Sequence, residues 1–272
     1  MPRVGGGERP QTWDARHRNF QGCAIRHRIV GLANSSKLKI RDYESGGRVM
    51  DRGYLLIADI LGFSKIINNS GESAKNDAVE TWLNLVDEAE KKAKLHRKPQ
   101  LISDTVIASS SDDEIGLRKI VQFSRYLLEN GVKRSLLIRG AISYGAYEWG
   151  RLTYGRTVIN AHNLESNQDW IGISCDGDLP RADTLWGPDG LVCYPPPLKQ
   201  GRIGLQPVVV WAVPEPSELQ TASSAFPLAK PEEFMEWPWL RRLRNTVHFG
   251  RHLKSLSESN RESWAQFNGS II

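Results

Sequence analysis

At 272 residues the chain has room for one sizeable domain with extensions, or for two small ones. Its 40% hydrophobic and 25% charged residues are the composition of a soluble globular protein. The apolar run YLLIADILGF is too short to span a bilayer and carries Asp59, so no membrane segment is expected. MPRVGGGERPQTW has no apolar h-region, and no signal peptide is expected either. Cys23, Cys175 and Cys193 form no CxxC pair, which fits buried or idle thiols in a reducing, cytoplasmic compartment.

The formal charge of +5 is unevenly placed. Residues 1–49 hold 10 Lys/Arg against 4 Asp/Glu, a net of +6, which leaves −1 for residues 50–272. The basicity belongs to a leader rich in Gly, Arg, Asn and Ser. Polyanion binding by this leader stays open, but a disordered, solvated tail is favoured and nucleic acid is not the expected partner.

From residue 50 the chain becomes patterned. YLLIADI reads as a strand, Gly62 breaks it, and FSKII opens a helix. Residues 75–95 place Val79, Trp82, Leu83, Val86 and Ala89 at helical spacing, with charges opposite. LISDTVIASS reads as strand, turn and strand with Asp104 at the turn. A second amphipathic helix covers about residues 114–130, with Gly131 as its C-cap. SLLIRGAISYGAYEW is expected to be a strand pair punctuated by Gly140 and Gly145, and TVINAHNLES a short helix. WIGISCD is a strand, a loop rich in Gly, Pro and Asp follows, and QPVVVWAVP is the last strand. Beyond Pro216 the composition shifts before an aromatic, basic helix near 236–264.

The order β-α-β-β-α-β predicts an α+β, ferredoxin-like (palm-like) sheet with helices on one face and the other face open. Three segments follow: a basic leader over 1–49, a folded body over 50–216 that carries the candidate site, and a helical C-terminal extension over 217–272.

The chemistry centres on two carboxylates. Asp59 ends the first strand and Asp104 sits in the hairpin turn, so both can converge at one end of the sheet. Carboxylates without His or Cys partners suit hard ions such as Mg²⁺ or Mn²⁺, and two such ions could activate a ribose 3′-oxygen and neutralise a triphosphate. Gly62 lets backbone N–H groups of the strand-to-helix turn approach phosphate oxygens. A strand-end Asp alone would be an ordinary turn or capping residue. The flanks and spacing change that reading.

ADILGFSKII resembles the D-I-x-G-F-[ST] motif of class III adenylate and guanylate cyclases. ISDTVIAS, whose Asp104 lies 45 residues on from Asp59, resembles their second metal strand. IRGAISYGAYEWGRLTYGRTVINAHNLES resembles the downstream R-x-G-I-x-x-G … G-x-x-V-N-x-A-x-R-L-E block, and WIGISCD the strand after it. The resemblance spans about residues 52–215. It implies a homodimer with active sites at the interface and two metal ions on Asp59, Asp104 and the Ile60 carbonyl. It also implies that Gly62, Phe63 and Ser64 cradle the β and γ phosphates.

Departures from the family pattern are informative. Ile159 and Asn163 stand where the family has its transition-state Asn and Arg, which leaves Arg156 or Arg139 to supply a cation, or to be structural arginines. Gln100 and Leu152 stand where purine cyclases read the base. Both metal carboxylates are retained while both base readers change, a pattern that resembles the bacterial Pycsar pyrimidine cyclases. That resemblance implies UTP as substrate, with CTP second, and cyclic UMP as an antiphage messenger acting on a separate effector. A catalytically silent, nucleotide-binding module is the competing reading, favoured by Ile159 and Asn163. His248 and His252 lack a third ligand; Trp237, Trp239, Phe249 and Trp264 are expected to dock the last helix. Lys199 and Arg202 precede the last strand, as solvated residues or as cations for the triphosphate.

Overall fold

The computed structural model describes residues 50–69, 71–201, 204–224, 237–256 and 261–266. The basic leader and Arg202 therefore lie outside the described residues.

The chain opens with β1 (Asp51–Ile60), then α1 (Phe63–Asn69) and α2 (Glu72–Ala93). A hairpin of β2 (Gln100–Ile102) and β3 (Thr105–Ser111) follows, then α3 (Glu114–Lys133), β4 (Ile138–Tyr147) and α4 (Arg156–Asn167). Next come β5 (Gly172–Cys175), a 3₁₀ turn at Ala182–Thr184, β6 (Leu191–Tyr194) and β7 (Gln206–Val209). The described helices after them are α5 (Pro216–Ser224), α6 (Trp237–Leu256) and α7 (Arg261–Trp264).

The sheet has seven strands in the order β2-β3-β1-β4-β5-β7-β6. Its first four form the antiparallel ferredoxin-like unit, with β1 paired to β3 on one side and β4 on the other. β5 joins β4 in parallel and extends the sheet. The α+β palm-like architecture is thus as expected.

β1 explains how the layers form. Successive side chains of a strand point to opposite faces, and every residue from Gly53 to Ala58 is buried. Tyr54, Leu56, Ala58 and Ile60 join the main core with Trp82, Leu85, Val86 and Ala89 of α2 and Leu117, Ile120 and Phe123 of α3. Leu55 and Ile57 belong to a second cluster with Ile107, Tyr147 and Ala161. The two faces carry separate cores. Trp82 is 1% exposed, and truncation of so buried an indole costs about 3–5 kcal/mol.

Several expectations need correction. The second face is not open, because α4 packs on it through the buried stripe Thr157, Ala161 and Glu165, spaced four apart. Val79 and Leu83 are exposed at 37% and 45%, while Leu85 takes the buried place between Trp82 and Val86. Gly131 is not a C-cap but lies inside α3, whose cap is Arg134. A Cβ on Gly131 would stand 2.7 Å from Ile138 Cδ1 and 2.8 Å from the Leu136 carbonyl. SLLIRGAISYGAYEW contributes one ten-residue strand, not two. The Gly/Pro/Asp-rich loop contains β6, whose four residues are all buried. Cys175 and Cys193 are both buried, and Cys175 is a free thiol. No described helix is long and apolar enough to cross a membrane.

Candidate active site

Asp59 lies on the α4 face of the sheet, in register with Thr105 on β3 and Arg139 on β4. Thr105 Oγ1 donates to Asp59 Oδ1 at 3.4 Å. The β2–β3 turn, where Ser103 takes φ 60°, returns Asp104 against Asp59. Burial, then the Asp104 charge and hydrogen bond, then Glu165, push the Asp59 carboxyl up to about 7; Arg139 opposes them. A carboxyl so displaced is one whose charge lacks a sufficient cation.

Arg139 does not supply that cation fully. Its guanidinium is buried, donating to Glu165 Oε1 from Nε at 2.7 Å and to the Gln168 carbonyl from Nη1 at 3.2 Å. Its Nη2 lies 3.9 Å from Asp59 Oδ2. Gln168 in turn donates to the Gly140 carbonyl at 2.7 Å, which locks the end of α4 onto β4. Glu165 and Thr105 are participants that the sequence reading did not select. Glu165 was visible as the last letter of the NLE block, whereas Thr105 carried no signal beyond adjoining Asp104.

Asp59 and Asp104, with the carbonyl of Ile60 at the strand end, offer hard oxygen donors. The raised Asp59 carboxyl is what such a pair shows when only protons compete for it, so the residues fit a Mg²⁺ or Mn²⁺ site. Among the described residues no group of three or more His, Cys, Asp or Glu is arranged to hold a metal; the fit rests on two carboxylates.

The Gly62 turn follows directly. Gly62 adopts φ +85°, a conformation that disfavours a side chain. Phe63 points into the main core, so only its backbone can face a ligand, and Ser64 is exposed.

Arg156, Ile159 and Asn163 occupy one exposed stripe of α4, spaced three and four apart. Ile159 is 59% exposed. None of the three hydrogen-bonds or ion-pairs with the Asp59 group. Gln100 sits at the start of β2, where its Nε2 donates to the Gly150 carbonyl at 2.6 Å and its Oε1 accepts from Thr153 Oγ1 at 2.7 Å. Leu152, between those two anchors, is 71% exposed. The fold therefore brings Gln100 and the Leu152 loop together, and leaves the amide one N–H and one lone pair.

Lys199 Nζ donates to the Ser166 carbonyl at 2.6 Å. Its ammonium is held below the usual lysine range by burial and by the charges of Arg139 and Arg242. His248 is exposed and His252 packs on Tyr194, so the pair does not converge. Trp239, Phe249 and Trp264 pack with the main core, as expected; the Trp237 side chain lies outside the described residues.

No protein-family model matches the chain, and no curated protein matches it. Similar folds occur among solved structures. A bacterial light-regulated adenylyl cyclase is 13% identical, covering 66% of this chain and 100% of its own, with a TM-score of 0.48. The guanylate cyclase domain of RhGC from Catenaria anguillulae, in complex with GTP, is 17% identical, covering 59% and 97%, with a TM-score of 0.46. The guanylyl cyclase Cya2 is 13% identical, covering 60% and 93%, with a TM-score of 0.39.

Proposed function

We propose that the protein is a metal-dependent nucleotidyl cyclase acting in the cytoplasm as a homodimer. It converts a nucleoside triphosphate, UTP before CTP, to the 3′,5′-cyclic monophosphate and pyrophosphate. The product serves as an antiphage second messenger read by a separate effector. The observation that carries the cyclase reading is the half-buried Asp59–Asp104 pair at the end of β1, where burial first and then the Asp104 charge lift Asp59 to about 7.

In the reaction a bond forms between the ribose 3′-oxygen and the α-phosphorus. The bond to pyrophosphate breaks, and the 3′-hydroxyl proton is released. Asp59, Asp104 and the Ile60 carbonyl would hold two divalent ions, which would supply activation of the 3′-oxygen and charge neutralisation of the triphosphate. The backbone of Gly62, Phe63 and Ser64 holds the β and γ phosphates. Arg139, held by the buried Glu165 and the Gln168 carbonyl, orients Asp59 from 3.9 Å. Arg156, on the exposed stripe of α4, faces the partner subunit and supplies the cation missing at Asn163. Gln100 and the Leu152 loop form the base pocket, and the change from two base-reading charges to an amide and an apolar side chain supports a pyrimidine.

The exposed Ile159 and Asn163 support a second reading, a nucleotide-binding module without turnover. Purified protein incubated with each of the four triphosphates and Mn²⁺, with products identified by mass spectrometry, separates the two. Cyclic UMP supports the first; nucleotide binding with no cyclic product establishes the second.

A further inference from the structure

Helix α6, far along the chain, reaches the turn that follows Asp59. A Cβ built on Gly62 would stand 3.2 Å from Trp239 Cζ2 and 3.6 Å from Cη2. Arg242, three residues on, lies over the Trp239 ring with its Cζ 5.3 Å from the centroid. Its Nε donates to Asp169 Oδ1 at 3.2 Å, and Arg241 Nε pairs with the other carboxylate oxygen. The Asp169 side chain is 1% exposed. Asn245 Nδ2 donates to the Asp169 carbonyl at 2.8 Å, and Thr246 Oγ1 accepts the Ile171 N–H at 3.0 Å.

Asp169 adjoins Gln168, the residue whose carbonyl receives Arg139. The contacts therefore close on themselves. They leave β1 at Asp59, run through Arg139, Gln168, Asp169, Arg242 and Trp239, and return at Gly62, three residues from where they began.

We propose that Trp239 is a positioning residue for the triphosphate-binding turn, which makes the C-terminal helix part of the active site. The proposal rests on the reading of residues 62–64 as the phosphate-binding turn. A glycine at positive φ has many backbone conformations open to it, and a turn that binds phosphate through N–H groups must be confined to one of them. The indole covers the side of Gly62 that has no side chain of its own. It is held by the Arg242 stack and by the buried Asp169 carboxylate, which would lose both of its guanidinium partners if the helix moved.

The test uses the full chain and three variants, Trp239→Ala, Trp239→Phe and Arg242→Met. It reads hydrogen exchange over residues 59–66, titration with inorganic triphosphate in Mn²⁺, and kinetics with UTP. Trp239→Ala should speed exchange of that peptide and weaken triphosphate binding and raise KM by about tenfold or more, with a smaller change in kcat. Trp239→Phe should restore most of both. Arg242→Met keeps Arg241 on Asp169, so it should shift the same readouts less and in the same direction even if Trp239→Ala fails to fold. Wild-type exchange and wild-type triphosphate affinity in the folded Trp239→Ala or Arg242→Met variant would overturn the proposal. No cyclic product from wild type, with exchange and binding responding as described, would remove the cyclase reading alone. No triphosphate binding by wild type would overturn both.

Discussion

Arg139 faces Asp59 across β1 and β4, yet its Nη2 lies 2.5 Å from Glu165 Oε1 and 3.9 Å from Asp59 Oδ2. The strand register delivers the arginine to the site, and α4 then draws its charge away. Asp59 is left facing Asp104 with Arg139 at a distance, so burial first and the Asp104 charge second raise its carboxyl against little opposition.

A pH dependence follows in the metal-free protein. The folded carboxyl of Asp59 titrates near 7 against an ordinary 3.8, so the folded state binds more protons between those values. Stability should fall as pH rises through that window and level off above it. Mn²⁺ competes with the proton, so its stabilisation should be larger at pH 8 than at pH 5. Thermal shift assays at both pH values check this, and Asp59→Asn should flatten the pH slope and reduce the Mn²⁺ effect. Equal Mn²⁺ shifts at the two pH values would remove Asp59 from the metal site.

Asp59→Ala and Asp104→Ala should each lower product formation by at least about 10²-fold, because each removes groups that stabilise charge in the transition state. Circular dichroism should show the fold retained. Near wild-type turnover with normal metal dependence in either variant would refute the assignment.

The buried Arg139–Glu165 pair should be costly to break from one side. Arg139→Met or Glu165→Gln should lose about 3–5 kcal/mol, since each leaves a buried polar or charged group without its partner. Urea unfolding measures it. The double variant Arg139→Met/Glu165→Gln should be less destabilised than the sum of the singles, as expected for residues in contact.

If the sites are shared between subunits, an Asp59→Ala chain and an Arg156→Ala chain, each inactive alone, should regain activity when mixed. A head-to-tail dimer gives about one working site of two in each mixed pair. A strict monomer by light scattering that still turns over excludes the shared site.

The base is the most exposed inference. In competition among equal concentrations of the four triphosphates, cyclic UMP should dominate, and purine products should be minor. Gln100→Ala should relax that selectivity while sparing much of the rate on UTP. Because Gln100 also ties down Gly150 and Thr153, Thr153→Val separates the two roles: it frees one anchor and leaves the amide. Cyclic AMP or cyclic GMP as the main product would overturn the pyrimidine reading alone.

Much of the fold was legible in the sequence because its central strands and helices carry clear periods. The YLLIADI strand, the SDT turn and the α3 repeat needed no tertiary knowledge. What was missed depends on contacts between distant residues. Gly140 looked like a break, but a Cβ there would lie 2.8 Å from Ala58 Cβ, so the glycine marks close strand packing within a continuous β4. LVCY is buried throughout and has no alternation to separate it from the flanking Gly and Pro residues. Asp59 and Asp104 were singled out through their flanks, and the fold brings them together. Trp239 over Gly62 could not be read, since nothing local links residues so far apart.

The two outermost strands, β2 and β6, are three and four residues long, while the central β1 and β4 each run to ten. Short borders offer few unpaired N–H and C=O groups to an incoming chain, which is how natural sheets resist growing sideways into aggregates. If two copies of this protein associate, the short borders leave the contact to side chains, among which Leu152, Tyr154 and Ile159 are exposed, rather than to strand added to strand.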